Sequence, residues 1–215
     1  MRLAPLRTNS KVGSLVELAA IIAIAVGLAI GIQAWIVKPY RIPSGSMEPT
    51  LAVEQRVLVD RIGMHFGDPS VGDIVVFHPP TDAQETAGGG AAKCGPLAHV
   101  VADGSTACAQ PVSSEASVNF IKRVVAGPGD VISIVEGHVI RNGKREADSY
   151  IKLCVTGDPK CNFPTPIKIP PGHWFMMGDN RGESDDSRFW GPVPTGWIIG
   201  TAFATYWPPD RIGIL

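Results

Sequence analysis

The chain has 215 residues, enough for one sizeable core or one domain with an elaborated flank. Its 19 Lys and Arg stand against 20 Asp and Glu, a formal net charge of -1, so there is no basic excess to draw nucleic acid and no long acidic tail. Gly (24) and Pro (19) are abundant, which suits many turns between short strands.

The N-terminal part breaks that pattern. Residues 18–32 read LAAIIAIAVGLAIGI, without a charge or a proline, and the wider stretch 14–37 carries only Glu17. A helix needs about 20 residues to cross a hydrocarbon core, so the expectation is a single transmembrane helix over 14–37. Arg2, Arg7 and Lys11 precede it. The positive-inside rule then places residues 1–13 in the cytoplasm and the chain from 38 to 215 outside. A cleavable signal peptide is the alternative, but the apolar run is longer than such a peptide's, and GIQAWIVKPY offers no small-x-small cut.

All four cysteines, Cys94, Cys108, Cys154 and Cys161, fall on the outer side of that expected topology, where disulfides persist. No Cys-x-x-Cys pair and no zinc spacing occurs, so no metal is expected. Cys154–Cys161 and Cys94–Cys108 are the expected pairs, because each closes a short loop rich in turn residues. Reduced, merely buried cysteines are the alternative.

After the apolar stretch, KPYRIPSGSMEPTL (38–51) reads as a turn: Pro39, Pro43 and Pro49 bracket Gly45 and bar a helix. Short β-branched runs follow at 56–62, 73–79 and 120–125. Residues 130–144 read as a hairpin, with turns at Glu136-Gly137 and Asn142-Gly143. Two more runs lie at 174–180 and 197–207. The fold class is therefore mainly β: a transmembrane helix followed by an all-β extracytoplasmic domain. Residues 80–118, rich in Ala, Gly, Ser and Thr, read as a surface excursion. Residues 145–169, with two cysteines and several prolines, read as a small inserted flap or β subdomain.

Ser46 follows Gly45 in the proline-stiffened turn, and a serine hydroxyl becomes a nucleophile only beside a base. His65, His78, His99, His138 and His173 are all available, but none sits in a triad-like motif. Lysine is the other option, useful only if burial lowers its pKa from near 10.4. In FIKRVV, period-2 alternation puts Phe120, Lys122 and Val124 on one face and Ile121, Arg123 and Val125 on the other. Lys122 is thus either a buried base or an edge-strand lysine whose stem reaches to water. The run GDNRGESDDSRFWG (178–191) is polar for a segment leaving an apolar strand. It is either a solvated loop or a network in which Ser184, Asp186 and Arg188 orient a buried base. Ser149-Tyr-Ile-Lys152 matches the Ser-x-x-Lys of penicillin-recognising enzymes, but their other motifs and their helical domain are missing.

SGSMEPTL (44–51), RVLVDR (56–61), KRVVAGPGD (122–130) and GDNRGESDDSRFWG (178–191), in that order, resemble the boxes of bacterial type I signal peptidase, also called leader peptidase. The resemblance covers residues 15–207. It implies a membrane endopeptidase that cleaves signal peptides from exported preproteins after an Ala-x-Ala-like motif, with Ser46 as nucleophile and Lys122 as general base. It further implies an oxyanion hole made by the Ser46 N–H and the Ser44 hydroxyl, and a lysine-orienting network of Ser184, Asp186 and Arg188. No cofactor is implied. The implied partners are preproteins emerging from the secretion machinery and the lipid bilayer, and the implied place is the bacterial cell membrane, crossed once with the N-terminus cytoplasmic. Glu48 departs from the uncharged residue expected after Ser-Met, and Gly182-Glu183 stands where many members have Asp-Asn. Two other readings stay open: a silent membrane-tethered β module that binds peptides or scaffolds an envelope complex, and a peptidase specialised for pilin or assembly subunits.

Overall fold

The computed structural model describes residues 10–84, 106–110 and 114–215. A helix, α1 (Ser10–Trp35), leads into twelve strands: β1 (Val37–Arg41), β2 (Arg56–Asp60), β3 (Ile74–Phe77), β4 (Phe120–Ala126), β5 (Val131–Val135), β6 (His138–Arg141), β7 (Lys144–Arg145), β8 (Phe163–Lys168), β9 (His173–Met177), β10 (Val193–Pro194), β11 (Ile198–Trp207) and β12 (Gly213–Ile214). Two single-turn helices, α2 (Gly63–Phe66) and α3 (Ser187–Trp190), interrupt them. The expected mainly β domain is present.

The expected membrane crossing over 14–37 is corrected. Among the described residues no helix is long and apolar enough to cross a membrane. The transmembrane helix, the single-pass topology and the membrane location inferred from it are withdrawn.

The strands form two antiparallel sheets. The larger, of eight strands, runs β1-β2-β11-β3-β4-β9-β10, with β12 beside β11, and the smaller runs β7-β6-β5-β8. β1 and β8 lie in stretches whose prolines read as turn or flap. Each closes one end of its sheet, where a residue without an N–H is tolerated. Glu136-Gly137 and Asn142-Gly143 turn the smaller sheet as expected, all four residues taking positive φ. Residues 145–169 supply β8 and the Cys154–Cys161 disulfide, which joins positions 6.5 Å apart at Cα. Cys94 lies outside the described residues. The 80–118 excursion is closed at its base by an antiparallel bridge between Pro80 and Glu115.

Three apolar clusters fill the molecule. Ile132, Ile134, Val139, Phe163 and Ile167 of the smaller sheet pack on Val125, Phe175 and Met177 of the larger. Within the larger sheet the pleat splits β3: Ile74 and Val76 join Met47, Leu51, Val57 and Ile121, whereas Val75 and Phe77 join Val124, Trp174 and Trp190. The first of these two clusters lies beneath the turn that carries Ser46.

Candidate active site

Pro43 and Pro49 prevent regular structure between β1 and β2, and the chain makes one 3-10 turn, Gly45–Met47. Glu48 N–H donates to Gly45 O at 3.1 Å and Leu51 N–H to Met47 O at 2.9 Å, so the turn closes tightly. Met47 and Leu51 are fully buried and pin it to the core. Ser46 thereby stands at the tip of a short, anchored loop. Its Oγ lies 2.7 Å from Lys122 Nζ and 3.4 Å from Ser44 Oγ.

Lys122 comes from the middle of β4, opposite Val75, and is 4% exposed. Its ammonium position lies 5.5 Å from the Phe120 ring centre, as the expected shared face requires. Burial pushes the Lys122 pKa down to about 8; Asp186 and Asp185 pull it back up, and Arg188 pushes it lower. An amine so placed is a usable proton acceptor close to neutral pH. Tyr40, Ile42, Pro43, Val76, Phe120 and Ile121 wall an open cleft of about 340 Å³ over the pair.

The 178–188 segment is the scaffold behind the pair. Asp186 is fully buried, and the Arg188 guanidinium beside it holds its carboxyl below the usual range against the opposing effect of burial. Arg188 Nε and Nη2 donate to the two Asp186 oxygens at 2.7 and 2.9 Å, and Gly178 N–H donates to Asp186 Oδ2 at 3.0 Å. Arg188 Nη2 also donates to the carbonyls of Arg181 and Ser184 at 2.8 and 3.1 Å. One buried ion pair therefore fixes three points of the loop. Ser184 is buried here, yet its hydroxyl has no hydrogen-bond partner among the described residues and is not bonded to Lys122. It packs against Gly178, where an added Cβ would lie 2.2 Å from Ser184 Oγ and 2.4 Å from Ser46 O.

Four contributors lie outside the residues singled out from sequence. Asn180 N–H donates to Ser46 O and Asn180 Nδ2 to Gly45 O, both at 3.1 Å, clamping the turn that carries Ser46. Asp179 accepts from Arg123 Nε and Nη2 at 2.9 and 2.7 Å and from Thr50 Oγ1 at 2.6 Å, tying β4 to the loop after Ser46. The available signal was the cation adjacent to Lys122 on the opposite face, together with Asp-Asn at the exit of an apolar strand. The described histidines are engaged elsewhere. His65, His78 and His173 bond backbone carbonyls and His138 bonds Asp148, while His99 lies outside the described residues.

The chain matches the model of the family "Signal peptidase, peptidase S26" over residues 15–207. It is 36% identical over 194 residues to the signal peptidase I of Leptolyngbya laminosa, covering 90% of this chain and 80% of the relative. It is 34% identical over 199 residues to a probable signal peptidase I-2 of Synechocystis, covering 93% and 76%. A solved signal peptidase I from Enterococcus faecalis aligns with 63% of this chain and 97% of its own at 18% identity and a TM-score of 0.40, too loose a likeness to carry an argument. The chain belongs to the signal peptidase family, peptidase S26, and is a serine endopeptidase that cleaves signal peptides.

Proposed function

We propose that Ser46 and Lys122 are the reacting pair of this peptidase. The carrying observation is the 2.7 Å contact between Ser46 Oγ and a lysine whose pKa burial lowers to about 8. Ser46 Oγ attacks the scissile carbonyl carbon as its proton passes to Lys122 Nζ. The carbonyl oxygen becomes an oxyanion, which the Ser46 N–H and the Ser44 hydroxyl stabilise; one such donor typically contributes about 3 kcal/mol. Lys122 then returns the proton to the leaving amine, the C–N bond breaks, and an ester on Ser46 remains. Water attacks that ester with Lys122 again as base, freeing the signal peptide's carboxylate and restoring the hydroxyl.

Asp186 and Arg188 act through the loop they hold, and Asp186 by its charge on Lys122; neither touches the substrate in this scheme. Preproteins emerging from the secretion machinery, with small residues at the first and third positions before the cut, are the proposed substrates. A silent binding module would keep its lysine solvated, whereas Lys122 is 4% exposed.

The test mixes the purified full chain with a precursor bearing an Ala-x-Ala signal peptide and reads product masses. Wild type cuts directly after the motif, and Ser46→Ala and Lys122→Ala do not. Cleavage surviving in either variant overturns the assignment.

A further inference from the structure

The charged side chains lining the cleft, besides Lys122, are Arg41, Glu183 and Asp185. Arg41 is engaged by Glu54 in an exposed ion pair. Glu183 Oε2 accepts from Asn180 Nδ2 at 3.1 Å, and that same nitrogen donates to Gly45 O at 3.1 Å. A neutral amide thus holds the Glu183 carboxylate next to the nucleophile turn without cancelling its charge. Asp185 stands close enough to Lys122 to favour the ammonium form. On the other side of the turn, the Glu48 carboxylate lies where a Cβ on Gly45 would be 3.3 Å from its carbon. Among the described residues no ion pair engages Glu183 or Glu48.

The cleft is therefore an apolar trough with negative charge on one wall. An extended peptide crossing it turns successive side chains to opposite sides. A cationic side chain directed at that wall gains an ion pair in a partly desolvated setting, whereas an anionic one meets like charge. We propose that Glu183 makes this site select precursors with a Lys or Arg at the second residue before the cut, or at the first or second after it, over those with Asp or Glu at the same position. The selectivity rests on Ser46 and Lys122 being the reacting pair, since it is their cleft that the carboxylates line.

The experiment uses peptides identical except at one position, the second before the cut or the first or second after it, occupied by Ala, Lys or Glu. The readout is the ratio of kcat/KM for the Lys peptide to that for the Glu peptide, at low and high salt. In wild type at low salt, at least one position gives a ratio of about fivefold, the size expected of partly exposed ion pairs and like-charge avoidance. Raising the salt shrinks it. Glu183→Gln brings it toward unity, and because the ratio is taken within one variant, any general loss of activity cancels. A wild type that cuts the Ala peptide but treats Lys and Glu alike at every position overturns the selectivity and leaves the peptidase reading intact. A ratio that survives the substitution assigns the selectivity to other groups and also overturns the proposal. A wild type that cuts none of the peptides overturns the reacting pair itself.

Discussion

The two sheets share one antiparallel construction but treat charge in opposite ways. In the smaller sheet the ionic groups stay near its rim: Arg141 pairs with Glu146 and Asp130, and Arg145 approaches Asp148, all partly open to water except the Asp148 carboxylate. In the larger sheet, and in the loop leaving it, Lys122, Asp179, Asp186 and Arg188 are all buried. Burying a charge is costly unless a partner satisfies it. Asp186 has Arg188 and Asp179 has Arg123. Lys122 alone among these four has no ion pair among the described residues, and its bond goes to the Ser46 hydroxyl. The cost of burial therefore falls on the group whose neutral form is useful.

Replacing Lys122 by Met should break this contrast most completely. Cleavage disappears, yet the fold gains stability at neutral pH, because a neutral chain of similar volume takes the place of an unpaired buried ammonium. The wild-type lysine titrates near pH 8 when folded, against an ordinary value of 10.5, so in that window the unfolded chain holds more protons. The penalty is thus full below about pH 8 and fades as pH rises toward 10.5. Urea denaturation at pH 7 and above pH 10 should show the variant's advantage at the first and its loss at the second. Correspondingly, wild-type kcat/KM should climb with pH and level off above about 8, as the base loses its proton. A flat profile from pH 6 to 9 would sink the role given to Lys122.

A second way to sharpen the comparison is Gly178→Ala. The new methyl meets Ser46 O at 2.4 Å, so the nucleophile turn must move. A displacement of that order should lower kcat about 100-fold, with a stability loss of about 1–3 kcal/mol from overpacking. Wild-type kcat in this variant would show that the turn tolerates displacement.

The smallest effect belongs to the smaller sheet. Glu136 holds a φ of 51° before Gly137 in a two-residue turn, and Asn is better suited to that backbone. Glu136→Asn should raise stability by about 0.5 kcal/mol and leave cleavage unchanged. A fall in either would mean that the turn, whose Gly137 carbonyl accepts from Arg181 Nη1 of the 178–188 loop, transmits its geometry to the larger sheet.

What could be read in advance follows from how local each determinant is. The turns at Glu136-Gly137 and Asn142-Gly143 are written in the residues that adopt them, and β3, β4 and β11 are β-branched runs with few rivals. Alternation alone put Lys122 rather than Arg123 on the face shared with Phe120 and Val124, and left open whether it is a buried base or an edge-strand lysine. β1 and β8 were obscured because Pro39, Pro164 and Pro166 are breakers in isolation and become permissible only at a sheet's edge. The Arg123–Asp179–Thr50 tie depends on β4 lying beside β9, a register that no single segment announces. For Ser184 the resemblance implied a bond that orients the lysine, and among the described residues that bond is not made. For the 14–37 stretch, composition suggested a crossing that the described helix does not provide.

The order of the larger sheet has a consequence for how the molecule is made. β11 is inserted between β2 and β3, which are consecutive in sequence, so the hairpin flanking Ser46 is joined to the strand bearing Lys122 only through residues made much later. Such long-range pairing is slow, and it cannot begin before β11 has been synthesised. A growing chain therefore carries a serine and a lysine but no assembled pair. With Ser46 and Lys122 as the proposed reacting pair, the capacity to cut peptides arrives only with closure of the sheet.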